Sequence, residues 1–359
     1  MPDESSLTLD RLLQYCSQSR ATDLHICAGS SPLMRRNSKL SSIPDTSVML
    51  PPAINEIVTS LLDDKKMESL RLNRVIDFSF SRSGLGRFRC NIYQQRGSYA
   101  IAIRTLPFEI PTLASLGLPP VVESMVHKNK GLILATGATG SGKSTTLASL
   151  IDILNEKYSY HIVTIEDPVE YLHRHKTSLV TQREVGEDAD SFAIALRSAL
   201  REDPDVIMVG EMRDPETISI ALTAAETGHL VLSTLHTVGA AKAIDRIIDA
   251  FPAGQQAQVK TQLATVLEGI ISQQLLPRAD GQGLILAGEI MLVTPAIRNL
   301  IREGKHYQVN SAMQTGQSLG MQLMEADLAR LVKDKSITQD EAALRAPDPQ
   351  LLNQFLRRE

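Results

Sequence analysis

The eight residues Gly137-Ala138-Thr139-Gly140-Ser141-Gly142-Lys143-Ser144 follow the pattern G-x-x-x-x-G-K-[ST]. Glycines at those positions let backbone N–H groups turn inward on an anion. The lysine brings a positive charge to phosphate oxygens, and the serine hydroxyl suits Mg²⁺. The apolar run Leu132 to Ala135 leads into the loop, and a helical pattern with Thr145 in its first turn leads out of it. A strand before and a helix after are the context a phosphate loop requires, because the helix adds the positive end of its dipole. Nucleotide binding is therefore expected here, with Lys143 on the β- and γ-phosphates and Ser144 on Mg²⁺.

Cleaving a phosphoanhydride also needs a carboxylate that orients or deprotonates water, and a second acid near the metal. Two segments supply such acids. Val206-Ile207-Met208-Val209 is an apolar strand followed by Gly210-Glu211, which delivers a carboxylate at a carboxyl edge where an aspartate is more usual. Thr164-Ile165-Glu166-Asp167-Pro168-Val169-Glu170 follows another apolar run, and its spacing leaves open which acid is the base. His229 and His236 bracket the strand-like run from Leu230. They form no metal signature, and a histidine at a strand start either serves structure or senses the γ-phosphate through a hydrogen bond.

Arg82, Arg87, Arg89, Arg96 and Arg104 crowd a stretch rich in strand signal. Arg87 and Arg89 are two apart and share one strand face, with Phe88 and Cys90 on the other. Two readings stay open: a solvated basic face, or arginines that reach a nucleotide held between domains or subunits.

The elements that must position these groups read as two blocks. Leu9, Leu12, Leu13 and Cys16 recur at helical spacing, Asp23 to Cys27 alternates, and Ile54, Ile57, Val58, Leu61 and Leu62 mark a second helix. Strand-like runs follow at Val75 to Phe80, Phe88 to Tyr93 and Tyr99 to Ile103, making a small α+β unit with an antiparallel sheet. Pro107, Pro111, Pro119 and Pro120 then interrupt regular structure, which places a linker over residues 106–120. Beyond it, runs at Leu132 to Ala135, Ile162 to Ile165, Val206 to Val209 and Leu230 to Ser233 alternate with helical patterns, as in a doubly wound α/β domain. After Pro252 the pattern is mostly helical, with one strand expected at Leu284 to Met291 and a terminal helix.

A length of 359 residues calls for two domains of unequal size. A formal charge of -4 argues against a dedicated nucleic-acid binder. Cys16, Cys27 and Cys90 form no paired motif, which fits free thiols in a reducing cytoplasm. The polar start Met1 to Ser6 lacks the features of a secretory signal, and no run approaches the ~20 apolar residues of a spanning helix. Work at a membrane is thus expected to go through partners.

The combination resembles the type II/IV secretion ATPase superfamily, and most closely its branch that retracts type IV pili. Four boxes carry the resemblance in order: the phosphate loop at Gly137 to Ser144, the acidic segment Thr164 to Glu170, the stretch Leu196 to Asp205 through Glu211-Met212-Arg213-Asp214, and Gly228 to His236. Ala296-Ile297-Arg298-Asn299-Leu300-Ile301-Arg302-Glu303 and Gly320-Met321-Gln322 match segments of the retraction branch, although by pattern alone the first is only an amphipathic helix. The resemblance implies a PAS-like α+β domain over residues 1–105 and a RecA-like P-loop ATPase domain over 121–359 with a helical C-terminal region.

It further implies an ATPase that powers pilus retraction and twitching motility as a homo-hexamer. Its partners are an inner-membrane platform protein and a paralogous retraction ATPase. Residue by residue, Gly137, Ala138, Thr139, Gly140, Ser141, Gly142, Lys143, Ser144 and Thr145 hold ATP, and Ser144 and Glu211 hold Mg²⁺. Glu170 activates water with Glu166 second, His229 and His236 sense the nucleotide, and Arg89 and Arg104 approach phosphate. Assembly and secretion ATPases of the superfamily usually add an N-terminal region and a paired-cysteine zinc motif, which disfavours them as the reading, as the intact acids disfavour a ring subunit with negligible turnover. Two departures from the family pattern, Arg36-Asn37-Ser38-Lys39 and Gln282 to Leu284, touch no box.

Overall fold

The computed structural model describes residues 9–19, 21–36, 39–106 and 109–357. Met1 to Ser6 lie outside the described residues, as do Asn37 and Ser38 within the first departure noted above. Contacts divide the chain into two compact units, Met1–Glu109 with Glu170–Leu172, and Ile110–Val169 with His173–Glu359.

Alternation builds the first unit. Strands β1 (Asp23–Cys27), β2 (Leu33–Arg36), β3 (Lys39–Ser42), β4 (Val75–Arg82), β5 (Gly86–Gln95) and β6 (Ser98–Thr105) pair in the order β3-β2-β1-β6-β5-β4. Every pairing is antiparallel. Leu24, Ile26, Phe88, Cys90, Ile92, Ile101 and Ile103 bury against Leu12, Leu13 and Cys16 of the helix Leu9–Gln18 and Ile54, Ile57 and Val58 of the helix Pro51–Leu61. Period-two alternation leaves the other sheet face to polar side chains, so Arg89 and Arg104 are register partners on the exposed side. Asp23, His25, Asp77, Asn91 and these two arginines line a cleft of about 230 Å³ there.

The second unit holds β7 (Gly131–Thr136), β8 (His161–Glu166), β9 (Leu179–Glu184), β10 (Val206–Val209), β11 (Leu230–Leu235), β12 (Leu267–Pro277) and β13 (Leu284–Leu292). They form one sheet in the order β13-β12-β7-β11-β10-β8-β9, parallel throughout except at β12/β13. All residues of β7, β10 and β11 are buried, which is why these strands read as unbroken apolar runs. On one face pack the helices Phe192–Ala199, Pro215–Glu226, Ala240–Asp249 and Ala253–Val266; the helix Lys143–Lys157 packs on the other. A separate cluster around Leu276, Ala287, Leu328 and Leu352 seats the helices Met324–Lys333 and Pro349–Arg357 on the β12/β13 end.

The expectation of a single strand after Pro252 is corrected here, because β12 is a second one. Leu267, Ile270, Ile271 and Leu275 fit helical spacing as well as a fully buried strand, and the helix Ala253–Val266 passes into β12 at Leu267. Among the described residues, no helix is long and apolar enough to cross a membrane.

Candidate active site

The loop after β7 turns on three glycines at positive φ, Gly137 (144°), Gly140 (78°) and Gly142 (89°). A Cβ on Gly137 would lie 2.4 Å from the Gln273 carbonyl and 2.5 Å from Ser141 Oγ, so that position admits glycine alone. The helix Lys143–Lys157 begins with Gly142 as its N-cap and no side-chain acceptor. The helices at Phe192 and Pro215 differ, being capped by Ser191 and Asp214. An uncapped first turn presents N–H donors and a positive dipole end to an anion. Lys143 is only 7% exposed, and its ammonium donates to the carbonyls of Gly137 and Ala138, each at 2.9 Å. Ala138, Thr139 and Gly140 form the exposed rim, Ser144 is exposed and Thr145 half-buried.

The neighbouring strands bring acids to the same sheet edge. The Gly137 N–H donates to Leu235 O, which joins the loop to the end of β11, and Thr234 Oγ1 donates to Gly210 O at 2.6 Å, which joins β11 to the turn after β10. Glu211 follows Gly210 with a side chain 12% exposed; its Oε2 accepts from Arg213 Nε at 2.7 Å and lies 3.3 Å from His236 Nε2. A Cβ on Gly210 would come 3.2 Å from Ile165 O and 3.4 Å from Glu166 Cα, so Gly210 lets the ends of β10 and β8 close up. Glu166 is buried, and its Oε1 accepts from Thr164 Oγ1 at 2.7 Å and Gln182 Nε2 at 3.1 Å. With strands about 4.8 Å apart, β10 lies about 10 Å and β8 about 14 Å from β7 across the sheet.

Gln182 escaped the sequence reading. Its side chain holds Glu166 with one end and accepts from the His173 backbone N–H at 2.8 Å with the other, and its signal is a polar residue on the short β9 alternation. Burial pushes the His173 imidazole down to about 4, so a neutral ring sits in this wall.

The chain as a whole matches proteins of known type. A family model described as type II/IV secretion system protein covers residues 100–284. The type IV pilus retraction ATPase PilT of Pseudomonas aeruginosa is 45% identical over 348 residues, 96% of this chain and 99% of that protein. The chain belongs to the type II/IV secretion ATPase family.

A twitching motility protein of Neisseria gonorrhoeae is 46% identical over 323 residues, 90% of this secretion ATPase and 86% of the relative. A crystal structure of the pilus retraction motor PilT with bound ADP superimposes with a TM-score of 0.91 at 49% identity, covering 97% of this chain and all of that one. The two units of the secretion ATPase are accordingly an α+β N-terminal domain and a RecA-like ATPase domain.

Within the RecA-like sheet the two histidines part company. Leu230 pairs with Gly131 and Leu235 with Thr136, so the strand that ends beside the phosphate loop begins at the opposite edge of the sheet. His229 lies at that far edge with Nδ1 3.0 Å from Ala224 O, about 20 Å of strand from the loop, so the structure does not bring this expected nucleotide sensor to the phosphate loop of its own chain. His236, beside Glu211, holds the near edge. Glu170 and Arg104 come together in the first unit, lining with Thr22, Asp23 and Tyr171 a groove of about 410 Å³. Arg104 Nε donates to Asp23 Oδ1 at 3.0 Å, and Arg89 stands beside it across β5/β6.

The retraction-like segment Ala296 to Glu303 lies in the helix Pro295–Arg302, capped by Thr294 Oγ1 on Ile297 N. Ile297 and Ile301 are fully buried one turn apart, while Ala296, Asn299, Arg302 and Glu303 face solvent. Arg298 anchors the helix through 2.8 and 2.7 Å bonds to the carbonyls of Ala264 and Thr265 and a 2.6 Å bond to Glu268. Gln322 docks on β13, its Nε2 donating to Gly288 O at 2.7 Å.

Proposed function

We propose that this chain is the ATP-hydrolysing subunit of a homo-hexameric motor that powers type IV pilus retraction and twitching motility. The reading rests on one observation: a complete phosphate loop with adjoining acids, in a chain that parallels PilT of Pseudomonas aeruginosa almost end to end. Residues Gly137 to Thr145 hold the triphosphate through backbone donors and the Lys143 ammonium. Ser144 and Glu211 are hard oxygen donors at one sheet edge and suit Mg²⁺, which when bound neutralises phosphate charge. Glu170 accepts a proton from water as the water oxygen bonds to the γ-phosphorus and the bond to the bridging oxygen breaks, leaving ADP and phosphate. Glu166 orients this wall, His236 reports the state of Glu211, and Arg89 and Arg104 approach phosphate charge.

In this reading the PAS-like domain spans residues 1–105, a linker 106–120 and the ATPase domain 121–359. The motor works in the cytoplasm against an inner-membrane platform protein, alongside a paralogous retraction ATPase. The solvent face of the helix Pro295–Arg302 is its partner-facing surface.

Deleting the chain from its host is expected to leave pili extended and to stop twitching; pili that still retract at the parental rate sink the proposal. Replacing Asn299 and Arg302, which face solvent, by alanine is expected to leave ATP hydrolysis within about twofold of the parent, since surface changes of this kind cost little stability. Pilus withdrawal in that strain is expected to fail, and normal withdrawal would remove this helix from the force-transmitting surface.

A further inference from the structure

Glu289 lies on β13, 4% exposed, in a row of residues that crosses the sheet at the level of the phosphate loop. Leu235 pairs with Thr136, Thr136 with Ser272, and Ser272 with Glu289. Two helices start against this row without a side-chain cap of their own, Ala240–Asp249 after Gly239 and Met324–Lys333 after Leu323. Glu289 caps the first of them from outside, its Oε1 accepting from the Ala240 N–H at 2.7 Å, and the Met324 backbone N–H at the start of the second favours the charged form of the same carboxyl group. Ser272 Oγ completes the arrangement by accepting from the Gly239 N–H at 2.9 Å. Each uncapped helix start would otherwise bury unpaired N–H donors.

The position of this joint matters because the helix Ala240–Asp249 begins four residues after His236. The segment Thr237–Gly239 is thus pinned at one end by the His236 contact with Glu211 and at the other by Ser272 and Glu289. We propose that Glu289 is a positioning residue for ATP turnover, fixing the His236 loop to the C-terminal helical segment by capping the Ala240 helix from a strand whose neighbouring Gly288 N–H donates to Asp327 Oδ2 of the Met324–Lys333 helix at 2.8 Å. The inference rests on the reading above that Glu211 and His236 serve hydrolysis. A shift of the Met324–Lys333 helix relative to the sheet would be felt at His236 through one carboxyl group, and nucleotide-driven movement of His236 would be felt at that helix.

Burial pushes the Glu289 carboxyl up to about 7, helped by the Glu325 carboxyl at the start of the same helix and opposed by the two backbone donors. A carboxyl whose native pKa is raised favours the native state while protonated, so this contribution is full below the unfolded value of 4.5 and is lost as pH rises through about 7. Glu289→Gln cannot ionise, and its thermal midpoint is expected to gain on the parent steadily from pH 5 to about 7.5. Parallel midpoints over that range would contradict the buried, proton-holding carboxyl group.

The decisive test uses the purified full chain with Glu289→Ala, Glu289→Gln and Ser272→Ala, measured for ATP turnover, ADP affinity and thermal midpoint. Glu289→Ala is expected to lower kcat about tenfold at a temperature well below its midpoint, the equivalent of one or two lost backbone caps, with ADP affinity within about twofold of the parent. Glu289→Gln keeps an acceptor oxygen and is expected to restore most of kcat, while Ser272→Ala loses about threefold. A lowered midpoint with unchanged kcat makes Glu289 a fold anchor only and overturns the proposal. So does a loss of ADP binding in step with kcat, which would place the effect on the phosphate loop. Should Glu289→Ala fail to fold, Ser272→Ala decides, and full turnover in it overturns the proposal. An inactive parent would instead count against the ATPase reading itself.

Discussion

Lys143→Ala is expected to lower ATP turnover by at least about 10²- to 10³-fold in a chain that remains folded, the scale of removing one preorganised donor from a transition state. The ammonium is nearly buried and held by two loop carbonyls at 2.9 Å, so its charge is delivered to the loop's interior rather than to bulk water. There the attraction for developing phosphate charge is weakly screened. Folding is expected to survive because alanine favours a helix start at least as well as lysine, and Leu147, Leu150, Ile151 and Leu154, which seat this helix, are untouched. Phosphate release and circular dichroism on the same preparation check both halves. A folded variant that hydrolyses ATP near the parental rate contradicts the assigned cradle.

The phosphate loop was legible in the sequence because everything it needs is local: three glycines, one lysine, and a strand and helix on either side. The first sheet was legible for the same kind of reason, since Phe88, Cys90 and Ile92 alternate with polar neighbours along a single strand. What escaped is what depends on register. His229 and His236 look equivalent in the sequence, yet six strand residues carry them to opposite edges of the sheet. β12 escaped because apolar residues at 267, 270, 271 and 275 suit two kinds of element, and with it went Ser272 and Gln273. Gln273 is fully buried and donates to Thr146 Oγ1 at 2.8 Å, under the first turn of the phosphate-loop helix. Glu289 hid likewise inside an apolar strand, where only its neighbours in three dimensions reveal two helix starts.

The acids divide by burial and surroundings. Glu166 has both lone pairs of Oε1 taken by Thr164 and Gln182 and lies buried at its strand end, a setting that orients a wall. Glu170 is exposed and shares a groove with Arg104, a setting open to water and lined by a guanidinium. Glu170→Gln is therefore expected to lose about 10²- to 10⁴-fold in kcat, the usual worth of a general base, while ADP affinity stays close to the parent's. Glu166→Gln keeps an acceptor for the Thr164 hydroxyl and is expected to lose far less, with its loss reflected partly in the thermal midpoint. Steady-state hydrolysis and nucleotide titration on the two variants separate the roles. If Glu170→Gln turns over like the parent and Glu166→Gln does not, water is activated at the end of β8 and the groove carries no chemistry.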